Sequence, residues 1–220
     1  MGNIIGYFKH NNEFLLKNII MDIFSETEYE ALDYLMYQLA ICYFNKPNED
    51  IYLILNDNES YRSSFLINLI KYTFYNRYIT LDINNLTNGN NNLLNKDKYN
   101  FNIHIYSNSE KNVILNYDKM KNNENKYFHL IITKHNITID NKNETNNILF
   151  YKFKNKNNEK IDKHNNYDIF NLSNKININS QFEYILYLYY NKLKKEYNNN
   201  INNVPNGIII TDTYLWKNNL

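Results

Sequence analysis

Residues 51–75 read IYLILNDNESYRSSFLINLIKYTFY. The first five, Ile51–Leu55, form a continuous apolar run bounded by polar residues, the pattern of a strand buried on both faces of a parallel sheet. A polar stretch, Asn56–Ser64, follows. Phe65, Leu66, Leu69, Ile70 and Phe74 then recur at helical spacing and predict a helix over about Ser63–Tyr75 with one apolar face. Buried strand, polar turn and amphipathic helix together make the opening unit of an α/β sheet.

Working outward, Ile103–Tyr106, Phe128–Thr133 and Ile148–Phe153 read as three further short strands separated by Asn- and Lys-rich connections. A strand, a loop, a helix and then more strands is the order of an open α/β sheet with crossover connections. Upstream, Ser25 and Glu28 have the spacing of a capping box. Leu32, Leu35, Met36, Leu39, Ala40 and Tyr43 continue at helical spacing and leave Asp33 and Gln38 outside the stripe. Phe14 to Phe24 is apolar enough for another packed helix or extended segment, and Pro47 ends this helical region. Ser180–Tyr197 reads as a long Tyr- and Leu-rich helix, and Pro205-Asn206-Gly207 breaks the chain before Ile208–Leu220.

The chain has 220 residues, enough to bury a core without staples. Its formal charge of +1 excludes the single-sign field that drives non-specific binding to nucleic acid or an anionic membrane. Asn 48, Ile 29, Lys 22 and Tyr 22 stand against Gly 4, Pro 2 and Arg 2. The abundant residues share AT-rich codons and the scarce ones need GC-rich codons, so the skew reads as a genomic property and the Asn tracts as swollen loops. A single cysteine, Cys42, excludes a disulfide framework and a Cys-based zinc site. His10, His104, His129 and His164 lack the i, i+4 or carboxylate-linked spacing of a metal site, so no metal is expected. No apolar run reaches the roughly 18 residues needed to span a bilayer, and no secretory leader opens the chain. Met1-Gly2 fits myristoylation poorly, because Gly6 stands where Ser or Thr is preferred. The expectation is a soluble cytoplasmic protein with no membrane partner.

The turn after Leu55 is where a phosphate would sit. In a phosphate-binding loop the pattern GxxxxGK followed by Ser or Thr leaves a buried strand and opens a helix. Its glycines let backbone amides point inward, its lysine reaches the outer phosphates, and its hydroxyl holds magnesium. Here the same context holds Asn56-Asp57-Asn58-Glu59-Ser60-Tyr61-Arg62-Ser63-Ser64. Asn56 and Tyr61 replace glycines, Arg62 replaces lysine, and Ser63 is the expected residue.

The flanks carry the resemblance further. Residues 53–87, LILNDNESYRSSFLINLIKYTFYNRYITLDINNLT, resemble the phosphate-loop region of superfamily 3 helicases of the poxvirus and giant-virus primase-helicase type. In that family an LxxGxGxNGKSTFxNLI segment precedes an aromatic Gly-Asp-Tyr turn and a short LLT phrase. Leu55, Ser63, Phe65, Leu69, Ile70, Tyr78 and Leu86-Thr87 stand in place. Phe101–Lys111 (FNIHIYSNSEK) is similar to the family's second acidic motif, with Asn108 in place of the first acid and Glu110 retaining the second. Phe128–Ile139 (FHLIITKHNITI) resembles the strand that ends in a polar sensor residue, here Lys134. Residues 146–153 are similar to an arginine-rich segment whose arginines are gone, and Val204-Pro205 through Tyr214 to the phrase that closes the helicase domain. The likeness spans nearly the whole chain.

The resemblance implies an α/β fold: an AAA+-like parallel sheet core over residues 47–156, flanked by a helical lead (1–46) and a helical tail (157–220). It also locates what is missing. Phosphoryl transfer rests on positioning and charge stabilisation. Tyr61 resists the positive φ such a nest uses, while Asn56 and Asn58 tolerate it. Asp57 and Glu59 each oppose an anion by roughly 3–4 kcal/mol at 4–6 Å and an effective dielectric near 20. Asn108 removes a magnesium or water-polarising carboxylate, and the lost arginines remove the charge that completes a ring-shaped ATPase site. The remnant nucleotide-binding residues are thus Asn56, Asn58, Tyr61, Arg62, Ser63 and Ser64, and the remnant catalytic candidates Glu110 and Lys134.

Each has a plainer reading. Asn56–Ser64 would also serve as an ordinary polar loop with Ser60 or a neighbour capping the helix. Glu110 would be a solvated strand-end carboxylate, and Lys134 with His135 a surface pair. Tyr187, Tyr189 and Tyr190 interleave with Lys192, Lys194 and Lys195, which suits weak single-stranded DNA contact or a helix with one core face and one snorkelling Lys face. The expected function is a catalytically inactive relative of a viral primase-helicase ATPase domain, kept as an interaction or scaffold unit, binding no cofactor and joining a protein partner or its own copies. The alternative is a divergent working helicase or ATPase that uses ATP and Mg2+ and is completed by partner subunits. If the source is viral, the place of action would be its replication site.

Overall fold

The computed structural model describes residues 15–23, 29–47, 50–57, 61–87, 103–107, 113–116, 126–135, 137–140, 148–152, 169, 173–174 and 177–196. Two helices lead, α1 (Leu15–Ile23) and α2 (Tyr29–Phe44), followed by strand β1 (Ile51–Asn56), helix α3 (Tyr61–Phe74) and a short 3-10 turn over Tyr75–Arg77. Then come β2 (Tyr78–Asp82), a one-turn helix α4 (Asn84–Thr87), β3 (Ile103–Ser107), β4 (Val113–Asn116), β5 (Phe128–Thr133), β6 (Ile137–Asp140) and β7 (Ile148–Lys152). The long helix α5 (Ile178–Glu196) closes the described chain.

Five strands form one sheet in the order β2-β3-β5-β1-β7, and every neighbouring pair is parallel. The Ile51–Asn56 strand is interior, flanked by β5 and β7, and all six of its residues are buried. The apolar run required this: side chains alternate between sheet faces, so a run without polar breaks must be covered on both. Ile51, Leu53 and Leu55 join a core with Ile103, Ile105, Phe128 and Leu130 beneath α1, α2, α3 and α5. Tyr52, Ile54, Tyr106 and Ile131 face the other way, against Leu81, Ile83, Leu86, Val113 and Leu115. On that side β4 and β6 pair in a small parallel sheet of their own. The chain is thus an α/β protein with an AAA+-like parallel sheet core and flanking amino- and carboxy-terminal helices.

The three strands expected downstream form within a residue of their ends, as β3, β5 and β7, and the tail helix forms as α5. Strands β2, β4 and β6 were not foreseen. β2 is an edge strand in which only Leu81 is buried, and β4 and β6 are four residues each, too short for a clear alternation. The stripe expected on α2 packs into the core, but the two residues outside it, Asp33 and Gln38, are buried as well. Asp33 is 0% exposed and Gln38 5%, because α2 is covered around its circumference, with α5 crossing it. The Tyr189 hydroxyl of α5 donates to Asp33 Oδ1, and the Tyr37 and Tyr189 rings meet edge to face at 4.7 Å. Ser25 and Glu28 lie outside the described residues.

Candidate functional site

The carboxyl ends of β1 and β5 are tied into one edge. The Asp57 amide donates to the Thr133 carbonyl at 2.9 Å, and Asn56 Nδ2 donates to the His135 carbonyl at 2.9 Å. Thr133 Oγ1 donates to the same His135 carbonyl at 2.8 Å and accepts from the His135 amide at 2.9 Å, pinning the turn between β5 and β6. Asn56 therefore spends its amide on the neighbouring loop. In an open α/β sheet, ligands bind at this carboxyl edge of the strands.

Across the turn, helix α3 begins at Tyr61, and Ser63 in its first turn carries one of the amides that no intrahelical carbonyl reaches. Asp57 fills that vacancy. Its Oδ2 accepts from the Ser63 amide at 2.9 Å and from Ser63 Oγ at 2.8 Å. Both residues are 1% exposed. A carboxylate at a helix amino terminus is held by the free amides and by the helix dipole, the same two features that hold a phosphate. The two groups taken are the amide and hydroxyl of the residue that, in a phosphate loop, would face phosphate and magnesium. Asp57 thus contributes more than the repulsion expected of it: its own carboxylate occupies the donors.

The other remnant positions divide. Arg62, in the place of the phosphate-loop lysine, is 2% exposed and engaged within the fold. Ser64 is exposed. Tyr61 opens α3, and its side chain lies outside the described residues, as do Asn58, Glu59, Ser60, Asn108 and Glu110. Lys134 is an exposed residue in the bend after β5, one residue from the carbonyl that Asn56 grips. The structure therefore brings Asn56, Asp57, Ser63 and the Thr133–His135 turn to one sheet edge. On α5, Tyr189 is buried, whereas Tyr187 is 49% exposed beside Phe44 (6.3 Å between centroids). Lys194 Nζ lies 4.7 Å from the Tyr190 ring centroid. The helix has the core face and the basic flank of the plainer reading.

A second polar cluster lies at the opposite, amino-terminal edge of the sheet, and nothing local in the sequence announces it. His104 and His129 are paired across β3 and β5, and Tyr52 of β1 is paired with His129. His129 Nε2 lies 3.3 Å from Asp50 Oδ1, joining residues 79 apart in sequence. A histidine–carboxylate contact that no sequence spacing shows therefore exists in three dimensions. Among the described residues no group of three or more His, Cys, Asp or Glu is placed to hold a metal ion. No helix among them is long and apolar enough to cross a membrane.

No protein-family model matches the sequence, and no curated protein matches it. Solved structures do match the fold. One apo structure of the NrS-1 C-terminal region superposes with a TM-score of 0.53 at 14% identity, covering 78% of this chain and 44% of that one. A second, of residues 305–718 of the same region, gives 0.51 at 16% identity with the same coverage. The chain thus spans less than half the length of these structures. At such identities the likeness is one of fold: this protein is similar in architecture to part of the NrS-1 C-terminal region.

Proposed function

We propose that this chain is a catalytically retired relative of the viral primase-helicase ATPase domain, retained as an interaction or scaffold unit in replication. The observation that carries this reading is the Asp57 carboxylate seated on the Ser63 amide and hydroxyl. A nucleotide tail would have to displace a buried, covalently tethered anion that is always present at high effective concentration. It would also meet Asp57 as a like charge once displaced. The architecture shared with part of the NrS-1 C-terminal region supports the kinship, and the burial of Arg62 within the fold is in keeping with a loss of chemistry. The apolar skeleton of the family's motif persists in Phe65, Leu69 and Ile70, all buried, while its polar letters have changed. That is the pattern expected when selection keeps the fold and releases the reaction.

The test is a thermal-shift titration with Mg-ATP up to 10 mM. A ligand that binds the native state raises the midpoint by mass action, about 2.7 kcal/mol at one hundred times Kd. The expected result is no shift. A saturable shift would instead favour the working ATPase completed by partner subunits. Mass measurement with and without single-stranded DNA then reports whether the scaffold assembles.

A further inference from the structure

One face of α5 carries a row of side chains that the core does not fully absorb. Asn179, Glu183, Tyr187, Tyr190 and Lys194 recur every three or four residues and so share one side of the helix, over about 22 Å of its length. Other elements widen the row at each level. Asn179 Nδ2 donates to the hydroxyl of Tyr75, just past α3, and Glu183 accepts from the Tyr43 hydroxyl of α2. Phe44 packs on Tyr190 with centroids 4.8 Å apart and lies beside Tyr187. Arg77 sits over the Tyr43 ring at 5.4 Å and donates to the Tyr43 carbonyl, while Lys194 covers the Tyr190 ring. Phe44, Tyr75 and Tyr187 are all exposed, so apolar surface is gathered along this strip instead of scattered singly.

The strip combines the side chains of a protein-binding surface with one sign of charge. Tyr, Phe and Arg are enriched in the central, energetically dominant part of protein interfaces. The one carboxylate in the row, Glu183, is spent on the Tyr43 hydroxyl. Arg77 and Lys194 touch rings and a carbonyl, and among the described residues neither has a carboxylate within ion-pair distance, whereas Lys126 has Asp50 at 3.5 Å. Tyr75 adds a cost: it holds a left-handed φ of 46° while 66% exposed, so burial does not repay the strain of displaying it.

We propose that this strip is a docking surface for an acidic, apolar segment of a partner protein, whose carboxylates meet Arg77 and Lys194 and whose apolar side chains lie against Phe44 and Tyr187 between them. Arg77 stands level with Glu183 through Tyr43, and from Glu183 to Lys194 is about 16 Å of helix. About five residues of extended chain, or about three turns of helix, span that distance. Single-stranded DNA fits less well, because bases stack on bare ring faces. Here cations lie over Tyr43 and Tyr190, and Phe44 meets Tyr190 at 31°. The proposal names the surface of the interaction unit inferred above and rests on that reading for its purpose. Its test does not pass through nucleotide.

The experiment pans a display library of random peptides of about twelve residues, long enough for that span, against the full chain at low salt. Fluorescence anisotropy then gives Kd for the most enriched peptide. The expected result is enrichment of Asp and Glu together with Phe, Trp and Leu, and binding about tenfold or more weaker in Tyr187→Ala and in Lys194→Glu. Panning against Lys194→Glu should also draw the enriched sequences toward Lys and Arg, a change of preference that a purely structural role would not produce. Lys194 lies in the last turn of α5, so this variant decides the matter even if Tyr187→Ala fails to fold. No enriched peptide, peptides without acidic bias, or binding that neither substitution weakens would overturn the proposal. Oligothymidylate binding more tightly than the peptide, or a concentration-dependent dimer that Tyr187→Ala abolishes, would overturn it as well by giving the strip another occupant. Failure here with no Mg-ATP shift removes the docking surface and leaves the retired-ATPase reading standing, whereas a saturable Mg-ATP shift with acidic-peptide binding does the reverse.

Discussion

Replacing Asp57 by alanine removes one carboxylate and strands two donors. The Ser63 amide loses its acceptor at 2.9 Å and the Ser63 hydroxyl its acceptor at 2.8 Å, in a setting where both residues are 1% exposed and water does not readily substitute. Loss of a helix amino-terminal cap costs about 1 kcal/mol, with a range of 0.5–2. A hydrogen bond to a charged group adds about 1.5–3 kcal/mol. These overlap, because the capping bond is itself charge-assisted, so the expected loss is about 2–4 kcal/mol. For a chain of this length that corresponds to a midpoint about 4–16 °C lower, at roughly 2–4 °C per kcal/mol. Asp57→Asn keeps one acceptor oxygen and should lose about half as much. Urea denaturation followed by circular dichroism at pH 7 measures both. A loss under 0.5 kcal/mol for Asp57→Ala would refute the claim that this carboxylate holds the start of α3, and with it the idea that the phosphate position is filled from within.

Four further outcomes follow from other parts of the fold. Tyr189→Phe removes the hydroxyl that α5 donates to buried Asp33 of α2, and should cost about 1–3 kcal/mol by chemical denaturation; a neutral result would mean the contact adds nothing to the helix pair. Phe182→Ala opens a cavity where α5 meets the main core, with a cost of about 3–5 kcal/mol in the same assay, unless α5 docks less firmly than its burial indicates. Burial pushes the Cys42 thiol well above its ordinary range, so the native protein should resist iodoacetamide at pH 8 and label only when urea unfolds it; rapid native labelling would contradict the packing of α2. Tyr75 sits at φ 46°, in the left-handed region, with the residue 66% exposed and its hydroxyl accepting from Asn179 Nδ2 at 2.8 Å. Tyr75→Gly should therefore stabilise by up to about 1 kcal/mol, and destabilisation would show that the Asn179 contact outweighs the backbone strain.

What the sequence determined alone is the skeleton. Ile51–Leu55 had to be a strand covered on both faces, because five consecutive apolar residues leave a sheet no face to turn to water. Phe65, Leu66, Leu69, Ile70 and Phe74 had to lie on one side of a helix, and all five are buried. The turn between them was legible as the place of interest because order along the chain fixes where a strand hands over to a helix. Contacts between residues far apart in sequence were not legible. Spacing placed Asp33 and Gln38 on an outer face of α2, but the face a helix buries depends on what packs against it, and α5 arrives from more than a hundred residues away. Asp57 was readable as a charge and not as a cap, because an acceptor six residues before its donor follows no local rule and depends on how the turn folds back. The Asp50–His129 link crosses 79 residues and exists only because β1 and β5 lie side by side. Periodicity is written into the chain one residue at a time, whereas proton positions and filled pockets follow from which strands become neighbours, and only the tertiary structure decides that.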